Sequence, residues 1–287
     1  MEIYHGLSHE LPVGIEKTRI RTVVTMHDLL FLTHPEWFPA FDRLMYRKKY
    51  LHSCKVANRI VAVSEQTKND LVRKAGIEAS RIEVVYQGCQ PCFKIQVSEY
   101  QKDIIRKKYH LPQHFLLNVA AMEPRKNQLL ILKSLVAGHL DIPLVIAGRK
   151  TNYLNDFQQF IIQHQQQSQV LLLSDVPFED LPALYQCATV FIYPSLYEGF
   201  GIPVVEALES GVPVIAATGS CLEESGGPSS MYVSPFDEEE LAEKIHKILN
   251  DNDLQNNMIE QGHVYAQRFS DANIAQHLTR IYNHLQP

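Results

Sequence analysis

Three short runs in this 287-residue chain carry side chains suited to chemistry. The longest, residues 193–213, reads Tyr-Pro-Ser-Leu-Tyr-Glu-Gly-Phe-Gly-Ile-Pro-Val-Val-Glu-Ala-Leu-Glu-Ser-Gly-Val-Pro. Gly199 and Gly201 let a backbone come close to a ligand. Pro203 fits the first position of a helix and Gly211 the position after its last. The amino end of that helix has unpaired amides and partial positive charge, which suit a phosphate. Taken singly, Glu198 reads as a surface acid and Glu206 as a partner of the helix dipole. Taken with the glycines and prolines, they read as two acceptors for separate hydroxyl groups of one ligand. The second run is Glu123-Pro124-Arg125-Lys126-Asn127. Arg125 offers a planar fork and Lys126 a point charge, both suited to a diphosphate. The third is His27-Asp28, a pair that could position or polarise a sugar, or simply cap a turn.

These runs fall where strands end, and ligands of open α/β sheets bind at the carboxyl ends of strands. Apolar runs alternate with helical stretches along the chain, the pattern of α/β units around parallel sheets. Predicted strands in the first part are 3–5, 22–26, 59–63 and 82–85, with helices over 41–56 and 65–75. Ser64 fits the N-cap of the second helix. A polar stretch, 96–108, reads as a helix-bearing linker. The second series has strands at 115–120, 144–147, 170–173, 189–193, 212–216 and 231–233. Helices are predicted over 128–137, 155–166, 181–187 and 203–210, then over 238–249, 254–269 and 271–285. Asp237, with Glu240 three residues on, marks a capping box.

Net charge is −5 at neutral pH, with 45% hydrophobic residues. That excludes a generally basic nucleic-acid binder. The clusters Arg47-Lys48-Lys49 and Arg106-Lys107-Lys108 read as solvated helix faces rather than membrane or polyanion patches. Cys54, Cys89, Cys92, Cys187 and Cys221 are odd in number and irregular in spacing, unlike a disulfide framework. The pair Cys89 and Cys92 reads as two reduced thiols in a loop. The start shows no basic, apolar and small-residue pattern of a signal peptide. No apolar run reaches the length of a membrane span. The expected location is the cytoplasm, with peripheral contact to the inner face of the membrane left open.

Together these motifs resemble the family 4 glycosyltransferases, retaining enzymes of the GT-B type, over nearly the whole chain. The Glu198-to-Glu206 segment is similar to that family's paired-glutamate motif, and residues 123–127 to its diphosphate-binding motif. His27-Asp28, Ser64 with its helix, Tyr86-Gln87-Gly88 and Glu223-Glu224-Ser225-Gly226-Gly227 resemble further landmarks. The likeness is nearest to mannosyltransferase-like members that build bacterial cell-surface polysaccharides. It implies two Rossmann-like, doubly wound domains facing a cleft. Carried over residue by residue, it implies that Arg125 and Lys126 hold the donor's diphosphate and stabilise the departing nucleotide. Glu206 would hold the ribose, and Glu198 the transferred sugar. The backbone around Gly199, Phe200, Gly201 and Ile202 would serve the sugar or phosphate, and His27 would approach the sugar from the opposite domain. It implies a GDP- or UDP-sugar donor, a glycan or lipid-linked acceptor, and neither metal nor cofactor.

Two departures stand out. Ala120 occupies a position where the family has glycine. The first series also lacks the opening strand, glycine-rich loop and helix, so the first domain is expected to be incomplete at its amino terminus. The expected division is 1–107 for that partial domain, 108–269 for the nucleotide-sugar domain, and 270–287 for a helix returning to the first. Donor binding is expected to survive that loss better than transfer, so a non-catalytic nucleotide-sugar-binding remnant is the alternative. A dehydrogenase is set aside because neither series has the Gly-x-Gly-x-x-Gly turn. A phosphorylase would need a cofactor lysine site that the sequence does not reveal.

Overall fold

Strand formation follows the short runs of β-branched and aliphatic residues, and helix formation the polar, periodic stretches between them. The computed structural model describes residues 3–285. Met1–Glu2 and Gln286–Pro287, the outer ends of the expected first and last segments, lie outside the described residues. Among the described residues, ten strands form two all-parallel sheets. The first holds β1 (Ile3–Gly6), β2 (Arg21–Met26), β3 (Arg59–Ala62) and β4 (Ile82–Val84), in that order. The second holds β5 (Leu116–Val119), β6 (Leu144–Ala147), β7 (Val170–Leu173), β8 (Val190–Tyr193), β9 (Val214–Ala217) and β10 (Met231–Val233). Its spatial order is β10-β9-β8-β5-β6-β7. Numbered within that sheet this is 3-2-1-4-5-6, the doubly wound order, and the winding reverses between β5 and β8.

The helices are α1 (Leu30–Thr33), α2 (Ala40–Val56), α3 (Glu65–Ala75), α4 (Glu99–Tyr109), α5 (Gln128–Ala137) and α6 (Leu154–Gln163). They continue with α7 (Leu181–Cys187), α8 (Ile202–Glu209), α9 (Leu222–Gly226), α10 (Glu238–Leu249), α11 (Asn252–Ala266) and α12 (Asp271–Asn283). The caps follow the sequence. The Ser64 side chain accepts from the Thr67 amide, and Asp237 from the Glu240 amide at 2.8 Å, but the Glu240 carboxylate accepts from the Ser234 amide instead of the Asp237 amide, so the capping box expected there is only half formed. Ser98 and Gln101 form a reciprocal capping box at α4. α1 and α9 are too short for a periodic signal and were not anticipated.

The chain divides into two units. One comprises Met1–Gly88, Glu198–Phe200 and Phe269–Pro287; the other comprises Cys89–Tyr197 and Gly201–Arg268. The first therefore ends near residue 88 rather than 107. Helix α4 accounts for the difference: it buries Ile105, packs on α7, and hydrogen-bonds Asp180 through Tyr109.

In the first unit, alternation along the strands supplies two core faces. Val24, Met26, Ile60, Ala62 and Ile82 pack with Leu29, Phe31, Cys54 and Leu71 on one side. Val23, Val61 and Val85 pack with Ile274, Leu278 and Ile281 on the other, so α12 covers this face. His5 ties α12 to the sheet, bonding the Tyr282 hydroxyl at 2.6 Å and the Thr25 hydroxyl at 2.8 Å. In the second unit, β5, β6 and β8 bury aliphatic side chains against α5 and α10. All five cysteines are free thiols. Among the described residues no helix is long and apolar enough to cross a membrane.

Candidate functional site

In the second unit the switch point is built by the loops after β5 and β8. Residues 124–126 form a tight turn, and Asn127 adopts φ 56°. That conformation aims the Asn127 amide at the carbonyls of Pro194 (3.1 Å) and Pro235 (2.8 Å), clamping three segments together. Arg125 donates to the Tyr197 carbonyl at 3.2 Å, while its own carbonyl accepts from the Leu196 amide. Lys126 donates to the Tyr193 hydroxyl at 2.8 Å. Both cations are thus fixed at the carboxyl end of the sheet, where a developing anion would be met by preset charge. Glu123 lies beside Arg125 at 3.4 Å and Arg149 at 3.6 Å. A cavity of about 550 Å³ opens beside it, lined by Pro124, Arg149, Lys150, Thr151 and Tyr153 among others.

Glu206 is the fifth residue of α8. The fully buried Tyr185 donates its hydroxyl to Glu206 Oε2 at 2.9 Å. Burial raises the Glu206 pKa above the usual carboxylate range, and the Tyr185 bond pulls it partly back. Burial, together with the same carboxylate, pushes the Tyr185 phenol well upward. Rings run from Tyr185 through Phe191 (5.2 Å) to Tyr193 (5.8 Å), so the supports of Glu206 and Lys126 share one aromatic row. Sequence reasoning missed Tyr185 and Tyr193 as supports. Tyr193 is adjacent to the motif, but Tyr185 is reached only through the tertiary fold.

Gly201 has φ 105°, a conformation that side chains rarely adopt, and a Cβ there would lie 2.8 Å from Leu222 and Ser225 atoms. Helix α8 starts at Ile202, so Pro203 is its second residue rather than its first. At Ala120 the crowded atom is the carbonyl oxygen, against which Gly148 packs so tightly that a Cβ would sit at 1.9 Å. The Ala120 methyl group is not that contact, and the residue is half-buried.

Glu198, Gly199 and Phe200 group with the first unit. There Gly199 lies on the His27 backbone, and a Cβ at Gly199 would meet the His27 carbonyl oxygen at 2.0 Å. The buried Ser64 hydroxyl, besides capping α3, donates to the Gly199 carbonyl at 2.7 Å. Phe200 stacks on Tyr86 at 5.6 Å and meets the edge of Phe269 at 5.2 Å. His27 Nε2 donates to the Leu7 carbonyl at 2.9 Å, which leaves Nδ1 to accept from the Gln87 amide at 3.2 Å. This pattern selects the Nε2–H tautomer. Asp28, just before α1, accepts from the Leu30 amide at 3.0 Å. Among the described residues no three His, Cys, Asp or Glu side chains form a group that could hold a metal ion.

The family model for glycosyl transferases group 1 matches residues 101–264, and that for glycosyltransferase family 4 matches residues 4–91. The chain belongs to the family 4 glycosyltransferases. Among family relatives, O-antigen chain mannosyltransferase B of Escherichia coli is 32% identical over 98% of this chain and 74% of its own length. O-antigen chain mannosyltransferase RfbU of Salmonella typhimurium is 28% identical, over 84% of this chain and 63% of its own. A serotype-specific mannosyltransferase, WbdA of Escherichia coli, is 27% identical over 94% of this chain but only 34% of its own length. The fold is that of GT-B glycosyltransferases. A glycosyltransferase from Rickettsia africae superposes with a TM-score of 0.81 at 20% identity, covering 99% of this chain and 76% of that one. Anabaena HepE in complex with UDP and glucose gives 0.81 at 21% identity, covering 93% and 72%.

For this family member the raised Glu206 pKa carries a stability signature. A carboxyl with a raised folded-state pKa holds its proton more tightly in the folded chain than in the unfolded one. Stability is therefore fullest below the unfolded value and falls as pH rises through the carboxylate range to the raised one. Glu206→Gln is expected to raise the melting temperature at pH 7.5, by about 2–4 °C per kcal/mol regained, and to give no gain near pH 4. Thermal melts at both pH values check this; equal melting temperatures at pH 7.5 would mean the ionised carboxylate is fully satisfied in the fold.

Proposed function

We propose that this glycosyltransferase moves a hexose, with mannose favoured, from a GDP- or UDP-activated donor to a growing glycan or lipid-linked acceptor. It would do so in the cytoplasm, with retention at the anomeric carbon. The observation that carries the reading is the pair Arg125 and Lys126, fixed at the switch point by the Tyr197 carbonyl and the Tyr193 hydroxyl. In this reading they neutralise the diphosphate as the glycosidic bond to it breaks, a task then given to side-chain cations rather than to a metal. Glu206, steadied by Tyr185, accepts from the ribose hydroxyls. Glu198 and His27 contact the transferred sugar, and the backbone of residues 199–202 serves its hydroxyls or the phosphate. The names of the O-antigen relatives support mannose and a cell-surface glycan. HepE, which shares the fold at 21% identity, is in complex with UDP, which supports keeping UDP beside GDP in this reading. In this reading the cavity beside Arg149 and Lys150 receives the base.

Calorimetric titration with GDP and with UDP, in the absence of metal, tests the donor half of this reading. Saturable binding of one nucleotide is expected, and no binding of either by folded protein would overturn it. His27→Ala is expected to keep that affinity within about twofold while lowering sugar transfer on the order of 10²-fold or more, the scale of one preset hydrogen-bonding group. Binding without transfer in the wild-type chain would leave the binding-remnant alternative standing.

A further inference from the structure

Two histidines stand side by side in the loops after β1 and β2 of the first unit, and they differ in what their rings already bind. His27 has both nitrogens engaged, with the Leu7 carbonyl and the Gln87 amide. His9 meets that ring edge-on at 5.2 Å and has neither nitrogen engaged among the described residues. Its Nδ1 is enclosed with no hydrogen-bond partner. A polar atom left so costs stability and calls for an explanation. The His9 backbone is left-handed as well, at φ 61°, a conformation that residues other than glycine seldom adopt and that gathers at ligand sites. The His9 amide donates to the Thr25 carbonyl at 2.8 Å and the Glu10 amide to the Ser8 carbonyl at 2.7 Å, which locks the turn. The ring lies flat on Tyr50, 4.4 Å away and 10° from parallel, and Tyr50 is braced edge-on by the buried Phe31 at 5.4 Å. Packing alone does not account for this ring: phenylalanine would stack on Tyr50 equally well without stranding a nitrogen.

The chemistry of the cluster selects the ligand. An enclosed acceptor without a partner is tolerated more often than an enclosed donor, so Nδ1 carries the bare lone pair and Nε2 the proton. Burial lowers the pKa of the ring, against the opposing pull of Asp28, and keeps it neutral at physiological pH. A neutral imidazole is a poor seat for a phosphate, but its Nε2–H is one directed donor. Asp28 uses Oδ1 on the Leu30 amide and keeps its other oxygen as an acceptor. One donor and one acceptor of this kind fit neighbouring hydroxyl groups of a pyranose, the first receiving a hydrogen bond and the second giving one.

We propose that His9 Nε2–H and Asp28 hold non-reacting hydroxyl groups of the acceptor's terminal sugar, and so set which of its hydroxyl groups is left to attack. His9 acts as a donor and takes no proton from the attacking group. This rests on the reading above, in which the second unit holds the donor and the acceptor is what the first unit must recognise.

Saturation-transfer NMR on the full chain tests it, with methyl α-mannoside, methyl α-glucoside and methyl α-galactoside as probes. At least one is expected to bind, and His9→Phe to weaken that binding about three- to tenfold, the range of one lost hydrogen bond. The phenylalanine keeps the stack on Tyr50 and removes the stranded nitrogen, so the variant is expected to melt at or above the wild-type temperature, with nucleotide affinity by calorimetry unchanged. A residue that served the fold alone would instead lower the melting temperature and leave glycoside binding as it was. Imidazole nitrogen shifts in the wild-type chain need no folded variant: the His9 Nε2 resonance is expected to move when the bound glycoside is added. The proposal is overturned if none of the three glycosides binds, if His9→Phe binds as tightly as the wild-type chain, or if the His9 resonances stay still. Glycoside binding without nucleotide binding would overturn the donor half of the earlier reading instead, and nucleotide binding without glycoside binding this proposal alone.

Discussion

Lys126→Ala is expected to weaken nucleotide affinity by about 10- to 150-fold, the range of a lost charge-assisted hydrogen bond. The rate of sugar transfer at saturating donor is expected to fall by a further 10²–10³-fold, because the cation opposes charge that grows only as the nucleotide departs. The ammonium is held in place by the Tyr193 hydroxyl at 2.8 Å and lies 5.2 Å over that ring. Tyr193→Phe separates the two roles: it removes the hydroxyl contact and keeps the charge. It is expected to cost about tenfold or less in affinity, and little in rate. Calorimetry and single-turnover transfer on both variants check this. Equal losses would make Lys126 a strut for Tyr193 rather than a group acting on the phosphate.

Gly199→Val is expected to abolish most transfer while leaving nucleotide affinity near that of the wild-type chain. A Cβ at this position falls 2.0 Å from the His27 carbonyl oxygen and 3.3 Å from Asp28 Cβ, and the closest opposing atom is backbone, so no rotamer relieves the clash. The Gly199 carbonyl is also held by the Ser64 hydroxyl, so the loop is restrained from its other side. The two segments must part by about 1 Å, and a displacement of that size costs on the order of 10²-fold in rate when it misplaces a reacting group. Overpacking of this kind also lowers stability by about 1–3 kcal/mol. Transfer kinetics beside a thermal melt check the expectation. A variant that melts early yet transfers at the wild-type rate would remove the segment 198–200 from the reaction.

Much of the framework was legible in sequence because it is local. The β-branched and aliphatic runs at 144–147 and 170–173, the cap at Ser64 and the turn-forming glycines each declare themselves within a few residues. The motif loops were legible for the same reason, since the strand before each fixes which end of the sheet it tops. What escaped notice depends on distant partners. Tyr185 is twenty-one positions from Glu206, and only the folding of α7 beneath α8 brings its hydroxyl to the carboxylate. Helix α4 was read as a linker because its surface is polar; its few packing residues meet α7 some seventy-five positions onward. The segment 198–200 reads as part of the β8 loop and gives no local sign that Ser64 and His27 hold it.

The first unit is assembled from pieces at both ends of the chain, and this orders events during synthesis. Strands β2, β3 and β4 emerge from the ribosome early, but Val23, Val61 and Val85 have no cover on one face until α12 follows. At 5–20 residues per second the interval between β4 and α12 is about 10–40 s. The second unit, encoded later, is complete before the first can close. During that interval the nascent chain presents a bare aliphatic sheet face, the kind of surface that chaperones bind and that aggregation begins from.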